Sequence, residues 1–386
     1  MPNLMDPGEF RAPAAGRVVR VPAGYAAFLP APLPPRLVYD DGLVLALSRA
    51  DAALGELSGL GRQLPSPELL IAPYVRREAI FSSRIEGTRT RLAELLREEA
   101  SAGRERPDDV REVRNYVRAL QYGLGRLKHL PLSLRLVREL HQRLMAGVRG
   151  ERATPGAFRR SQNWIGPSGS TPDTAHYVPP PPLEMGEALH DWELFLHERG
   201  SMPDLVQCAL VHEQFEAIHP LLDGNGRVGR LLITLFLVER GRLSQPLLYL
   251  SDYLESHRDE YYARLQRVRT DGDWNGWLGY FLAGVNLTAR KAVRQAAQLM
   301  DLRERLRRRL VARPRALLLV DELFKNPYVD VARAKKALGV THPTARQVIR
   351  VLEEEGILKE VTGRRWGRLF LARPILKAIE EPAPER

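Results

Sequence analysis

A chain of 386 residues, with 58 Lys and Arg against 47 Asp and Glu and a formal net charge of +11, is long enough for two or three domains. No stretch reaches the ~18 consecutive apolar residues of a membrane span, and the first residues are acids and prolines instead of a basic start and an apolar core, so neither a transmembrane helix nor a signal peptide is expected. The single cysteine, Cys208, excludes an internal disulfide framework and fits a reducing, cytoplasmic setting, where it is expected as a buried thiol.

In chain order, residues 1–35 are rich in Pro, Ala and Gly, and Pro30, Pro32, Pro34 and Pro35 predict an extended segment lying over the surface. A helical pattern runs from Gly42 to Leu57 and is expected to break at Gly59 and Gly61. Ser66-Pro67 offers an N-cap followed by Pro at the first helical position. That helix continues through Leu70, Tyr74, Ala79 and Phe81 and stops at Gly87, a residue suited to left-handed backbone. Ser82 and Glu86, four apart, share a face of its last turns. Spacing alone reads them equally well as a frayed helix end with a solvated Glu. Helices are predicted next over Leu92–Glu99, from Asp108 through Leu120 and over Leu132–Leu144, with the polar stretch Ser101–Pro107 as a first boundary. Glycines and prolines break residues 149–183, leaving short extended pieces at Gln162–Ile165 and His176–Val178. His176 has no second His or Cys at ligand spacing and is not expected to bind a metal.

Pro203 starts a helix that delivers His212, expected as a buried and hydrogen-bonded histidine, and then the stretch His219-Pro220-Leu221-Leu222-Asp223-Gly224-Asn225-Gly226-Arg227-Val228-Gly229-Arg230. It lies between two helical patterns and reads as a tight loop opening a helix. Gly224, Asn225 and Gly226 can aim successive backbone N–H groups at one point, a nest for anions, and the helix start adds its positive end. Arg227 and Arg230, three apart, can both reach back to phosphate oxygens. Asp223 offers a hard carboxylate to a magnesium ion that bridges phosphates. His219 is a group whose ordinary pKa suits proton removal near neutral pH. No Gly-Lys-Ser/Thr follows, so this is not a Walker loop. These residue types suit nucleotidyl or phosphoryl transfer to a hydroxyl.

The stretch closely resembles the signature of the Fic family, His-Pro-Phe-x-Asp-Gly-Asn-Gly-Arg-x-x-Arg, with Leu221 where the family usually has Phe. The resemblance implies transfer of AMP from ATP, with Mg2+, to a Ser, Thr or Tyr hydroxyl of a protein target, with the chain itself among the candidate targets: a protein adenylyltransferase. In that role His219 takes the proton, Gly224, Asn225 and Gly226 hold the α- and β-phosphates, Asp223 holds the metal, and Arg227 and Arg230 hold the β- and γ-phosphates. The segment Ser82–Gly87 matches the family's Ser/Thr-x-x-x-Glu-Gly/Asn motif, which implies autoinhibition by Glu86 pairing with Arg230 in competition with the γ-phosphate. Residues 149–183 resemble the family's flap, with His176, Tyr177 and Val178 docking a target backbone by strand addition. Tyr253, Tyr261 and Tyr262 are candidates for the adenine pocket, although aromatics at that density read equally as core. Trp274 and Trp277 are expected in packing.

Residues 301–386 hold 20 Lys and Arg against 12 Asp and Glu, an excess of +8, the footprint of a polyanion partner. After the basic run Arg303–Arg309, three helices are predicted, over Arg315–Phe324, from an Asp330 cap to Gly339, and from Thr341 to Gly356. A hairpin over Ile357–Val361 and Arg368–Leu371 follows. This resembles a winged helix-turn-helix that would meet DNA through residues 341–370, and protein contact is the open alternative. The expected fold is mainly α: a Fic-type helical core with a short β-hairpin flap, plus the C-terminal winged helix. Its expected parts are 1–107 with the inhibitory helix, 108–300 as the core and 301–386 as linker and winged helix. A nucleotide-sensing DNA-binding regulator, another nucleotide donor and the reverse reaction, de-AMPylation, stay open as alternatives, as does homo-oligomerisation.

Overall fold

The computed structural model describes residues 7–63, 67–100, 108–148 and 154–381, and among these the architecture is mainly helical with two small sheets. The N-terminal stretch is a hairpin, with β1 (Gly16–Arg20) antiparallel to β2 (Ala26–Pro30) and Val18 opposite Phe28. Extended backbone was expected here; the pairing and the burial of Ala27 and Phe28 were not. The chain reverses at Gly24, in left-handed backbone, and Phe28 packs its ring against Phe10 and Tyr177.

Helix α1 (Asp41–Gln63) starts where the Asp40 carboxylate accepts from Leu43 N–H, and it runs straight through Gly59 and Gly61. The expected break is absent because Gly61 is a contact point: a Cβ there would lie 2.7 Å from Ser244 Oγ. Helix α2 (Glu68–Ile85) follows, with Pro67 at its N-cap position, while Ser66 and the boundary stretch 101–107 lie outside the described residues. Its end is as expected, with Gly87 at φ 99°. Then come α3 (Leu92–Ala100), α4 (Asp108–Arg126), α5 (Leu134–Leu144, capped by Ser133), α6 (Pro182–His197), α7 (Asp204–Ile218) and α8 (Asn225–Glu239). Residues 154–181, between α5 and α6, are irregular apart from an antiparallel bridge between Ile165 and Tyr177.

Helix α7 is buried from Leu205 to Ile218, Cys208 included, and it pairs with α8 at the centre of the molecule. A helix buried on every side reads as apolar all round apart from polar residues that meet a specific partner. Helices α9 (Ser251–Ser256), α10 (Arg258–Asp271) and the long α11 (Trp274–Arg309) complete this part, and α1 lies along α11. Trp274 and Trp277 are core residues, as expected. Helix α11 continues through residue 300, where the sequence suggested a boundary.

The C-terminal module runs α12 (Pro314–Lys325), β3 (Tyr328–Val329), α13 (Val331–Leu338), α14 (His342–Glu354), β4 (Lys359–Glu360), β5 (Phe370–Leu371) and α15 (Arg373–Glu380). Its strands form an antiparallel sheet in the order β3-β5-β4. The Asp330 carboxylate caps α13 by accepting from Arg333 N–H, and Gly339 ends it in left-handed backbone. Thr341 holds the N-cap position of α14, but its hydroxyl pairs with Thr344 Oγ1 and not with the helix backbone. One apolar cluster runs from Leu43 to Ile379, so this module shares its core with the rest. Among the described residues no helix is long and apolar enough to cross a membrane.

Candidate active site

The site is built where α7 hands over to α8. His219 caps α7 with φ 48° and ψ 58°, a left-handed conformation that a non-glycine residue adopts only when its surroundings hold it. Leu221 is fully buried beneath the loop, the packing role expected for the family's Phe. The Asn225 side chain braces the loop from inside: its Oδ1 accepts from Leu221 N–H at 2.8 Å and its Nδ2 donates to Leu221 O at 2.7 Å. Gly224, at φ 80°, turns the chain into α8, whose first helical bond runs from Val228 N–H to Gly224 O.

The N–H groups of Asn225, Gly226 and Arg227 therefore form the open end of α8. The expected nest shifts by one residue, because Gly224 N–H is already taken by Asp223 Oδ1. Asp223 otherwise faces solvent, with 48% of its side chain exposed. Among the described residues no group of three or more His, Cys, Asp or Glu could hold a metal alone. One exposed carboxylate beside an anion-accepting helix end does fit a magnesium ion that takes its remaining oxygens from phosphates and water.

Both arginines are buried and already engaged. Arg227 donates to Glu112 of α4 at 3.1 Å and lies 3.5 Å from Asp223 Oδ1. Arg230 Nε donates to Ser82 Oγ at 2.9 Å, and its Nη2 donates to Ser82 O at 2.9 Å and to Glu86 Oε1 at 2.6 Å. A Cβ on Gly226 would lie 2.2 Å from Glu86 Oε1, so the carboxylate rests on the first turn of α8. Burial opposes ionisation of Glu86, but the charge and hydrogen bond of Arg230, with Arg227 and His219 behind, outweigh it and hold its carboxyl below the ordinary range. The last turn of α2 thus delivers Ser82 and Glu86 together onto Arg230, while Gly87 serves only to turn the chain away.

His219 Nδ1 lies 3.3 Å from Glu216 O, so Nδ1–H donates to that carbonyl and the lone pair is left on Nε2. Burial, then the cations Arg269 and Arg159, pull its pKa down to about 4, so the imidazole is neutral at physiological pH. On the next turn back, Glu213 pairs with Arg269 at 3.3 Å, and burial raises both Glu213 and Glu216 to about 7.

The flap candidates separate. His176 is exposed, but Tyr177 and Val178 are core residues. Tyr177 OH donates to Ala217 O at 2.7 Å with Arg269 over its ring, and Val178 O accepts from Phe28 N–H of β2. Their side chains anchor the flap, and that stretch of backbone is already bonded to β2 and Ile165. The tyrosines separate too. Tyr261 is fully buried, with its OH 2.8 Å from His212 Nε2, so it belongs to the core and offers no stacking face. His212 is the buried, bonded histidine expected. Tyr253 packs on Tyr280 and over Gly284, which leaves Tyr262 as the exposed ring, with Glu86 and Arg230 among its charged neighbours.

Three residues here escaped the sequence reading. His141 of α5 accepts from Gly156 N–H on Nδ1, which fixes the proton on Nε2, and that group donates to Asp223 O at 3.1 Å. Arg159 and Asn163 donate to the loop carbonyls around His219. Nothing in their spacing signals this, because each acts on the backbone of a segment tens of residues away.

The model of the Fic/DOC family N-terminal region fits residues 44–125, and that of the Fic/DOC family itself fits residues 131–237. A protein adenylyltransferase Fic of Drosophila grimshawi is 28% identical over 177 residues, 43% of this chain and 34% of that relative. One of Aedes aegypti is 30% identical over 144 residues, 37% of this chain and 25% of that relative. The chain thus spans about a third or less of these relatives. The crystal structure of a Fic family protein from Desulfovibrio desulfuricans G20 superposes with a TM-score of 0.58 at 19% identity, covering 92% of this chain and all of that one. With both family models fitted in succession around the Arg230–Glu86 contact and the fold shared along most of its length, the chain belongs to the Fic/DOC family.

Proposed function

We propose that the chain is a protein adenylyltransferase that moves AMP from ATP to a hydroxyl of a protein target and is held in check by Glu86. The observation that carries this reading is the Glu86 carboxylate resting on Gly226 and paired with Arg230, an internal anion seated where a triphosphate tail would end. The target oxygen attacks the α-phosphorus, the bond to the bridging oxygen of the β-phosphate breaks, and pyrophosphate leaves. His219 Nε2 takes the hydroxyl proton. The N–H groups of Asn225, Gly226 and Arg227 receive charge growing on the phosphates, and pre-aimed donors of this kind supply most of the catalysis in such transfers. Arg230 turns to the γ-phosphate once Glu86 withdraws. Magnesium held at Asp223 would neutralise the pyrophosphate.

Intact-mass measurement of the Glu86→Gly protein with ATP, magnesium and a cell lysate tests the reading. A gain of one AMP on the protein or on lysate proteins supports it, and no gain on either refutes it.

A second activity is favoured by the C-terminal module, which has the element order of a winged helix-turn-helix. Helix α14 exposes Arg346, Gln347 and Arg350, and the β4–β5 tip exposes Arg364, Arg365, Trp366 and Arg368. This surface suits a DNA duplex, with α14 in the major groove and the basic tip on phosphate.

A further inference from the structure

Four consecutive carbonyls, those of residues 218–221 from the end of α7 into the signature loop, accept hydrogen bonds from two residues at the base of the flap, with Asn225 sharing Leu221 O. Arg159 Nη2 donates to Ile218 O at 3.4 Å, Arg159 Nε to His219 O at 3.0 Å and Arg159 N–H to Pro220 O at 2.9 Å. Asn163 Nδ2 donates to His219 O at 3.3 Å and to Leu221 O at 2.8 Å. Arg159 also reaches across the flap, donating to Ser161 O and to Pro180 O. Arg159 is 2% exposed, and the hydrogen bonds of its guanidinium go to backbone carbonyls. A buried cation is a costly way to fill space, and here it lies against the residue whose left-handed backbone needs holding.

We propose that Arg159, assisted by Asn163, is a positioning residue for the transfer reaction: it locks the His219 backbone to both limbs of the flap, at Ser161 and Pro180, so that imidazole and docked target hydroxyl keep one fixed relation. The role rests on the reading of His219 as the base. Its electrostatic share follows from the same contact. The groups that face the imidazole are Arg159 from the flap, Arg269 from α10 and Glu86 from α2. The two cations disfavour a proton on His219 and keep its Nε2 lone pair available.

The test uses the Glu86→Gly protein as parent and adds Arg159→Gln, Arg159→Lys or Asn163→Ala. A base displaced by an ångström loses roughly 100-fold in rate. Arg159→Gln is therefore expected to cut kcat to that extent with ATP affinity unchanged, and to raise the acid limb of the pH–rate profile by about one pH unit. Arg159→Lys keeps the charge but loses the fork, so kcat falls while the acid limb stays; a purely structural defect would not separate these two effects. Parental kcat and parental acid limb in Arg159→Gln overturn the proposal. If that variant does not fold, unchanged kcat in both Arg159→Lys and Asn163→Ala overturns it. If the parent transfers no AMP, the proposed function itself fails. NMR titration of His219 then decides the electrostatic role of Arg159, which a pKa equal with and without Arg159→Gln overturns.

Discussion

Glu86→Gly removes the carboxylate whose Oε1 lies 2.6 Å from Arg230 Nη2 and leaves the guanidinium bonded to Ser82 alone. A hydrogen bond to a charged group contributes about 1.5–3 kcal/mol, and breaking a fully buried ion pair costs about 3–5 kcal/mol. Arg230 has 1% of its side chain exposed, but Glu86 keeps 33%, so solvent screening places this contact near the lower range, at about 2 kcal/mol. A γ-phosphate must displace that contact before it can use Arg230. Removing Glu86 therefore raises productive transfer by roughly 30-fold, since about 1.4 kcal/mol is a factor of ten. The assay is the initial rate of label transfer from ATP carrying a radioactive α-phosphate, with His219→Ala in the same background as the blank. Thermal stability should fall slightly as activity rises, whereas general loosening of the fold would lower both. Equal rates with and without Glu86 would refute the reasoning, because the carboxylate would then not be competing for Arg230.

Further outcomes can be checked separately. His219→Ala in the Glu86→Gly background should abolish AMP transfer while ATP affinity, measured by calorimetry, stays within a few-fold; retained transfer would remove His219 from the chemistry. His141→Leu leaves Gly156 N–H and Asp223 O unpaired in a partly buried site and should cost about 1–3 kcal/mol in urea denaturation. Burial lowers His141 from 6.5 to about 4 in the folded state, so the unfolded chain binds the extra proton between those values and stability is lost as pH falls through that window. The Leu variant should accordingly lose less stability between pH 6.5 and 4 than the parent, and an equal loss would count against a buried neutral His141. Arg346→Ala and Arg350→Ala should each weaken duplex DNA binding and lower the slope of log affinity against log salt by about one. Unchanged slopes would leave α14 without a phosphate contact.

The part of the site that was legible in the sequence is the part whose residues are neighbours in the chain. His219 to Arg230 is one loop and one helical turn, so residue types and spacing carry the geometry. Spacing put Ser82 and Glu86 on one helical face but left a frayed end equally open, and it was the likeness to the family motif that pointed both at Arg230. The rest depends on long-range contacts that leave no local mark. Gly61 looked like a helix breaker because only the 244–247 segment, far along the chain, gives its missing Cβ a purpose. Tyr261 and Tyr262 are adjacent in sequence, yet one faces His212 in the core and the other faces out, a distinction set by how α10 sits on α7 and α11. Tyr177 and Val178 were assigned to docking through the likeness to the family's flap, and nothing local showed that β2 would lie beside them. In the C-terminal module three helices and the hairpin were readable, since Asp330, Gly339 and Gly356 punctuate short helices with an apolar face, while the two-residue β3 and helix α15 were not.

Helix α2 carries a second grip besides the one on Arg230. Arg77 donates to the carbonyls of Ile379 and Glu380 at the end of α15, at 2.7 and 3.2 Å. From Arg77, midway along α2, about nine residues or roughly 13 Å of helix lead to Glu86 at the C-cap. The latch on the anion pocket and the last helix of the C-terminal module are thus fastened to a single stiff rod. A partner that pulled on α15 would therefore pull on the same helix that carries Glu86.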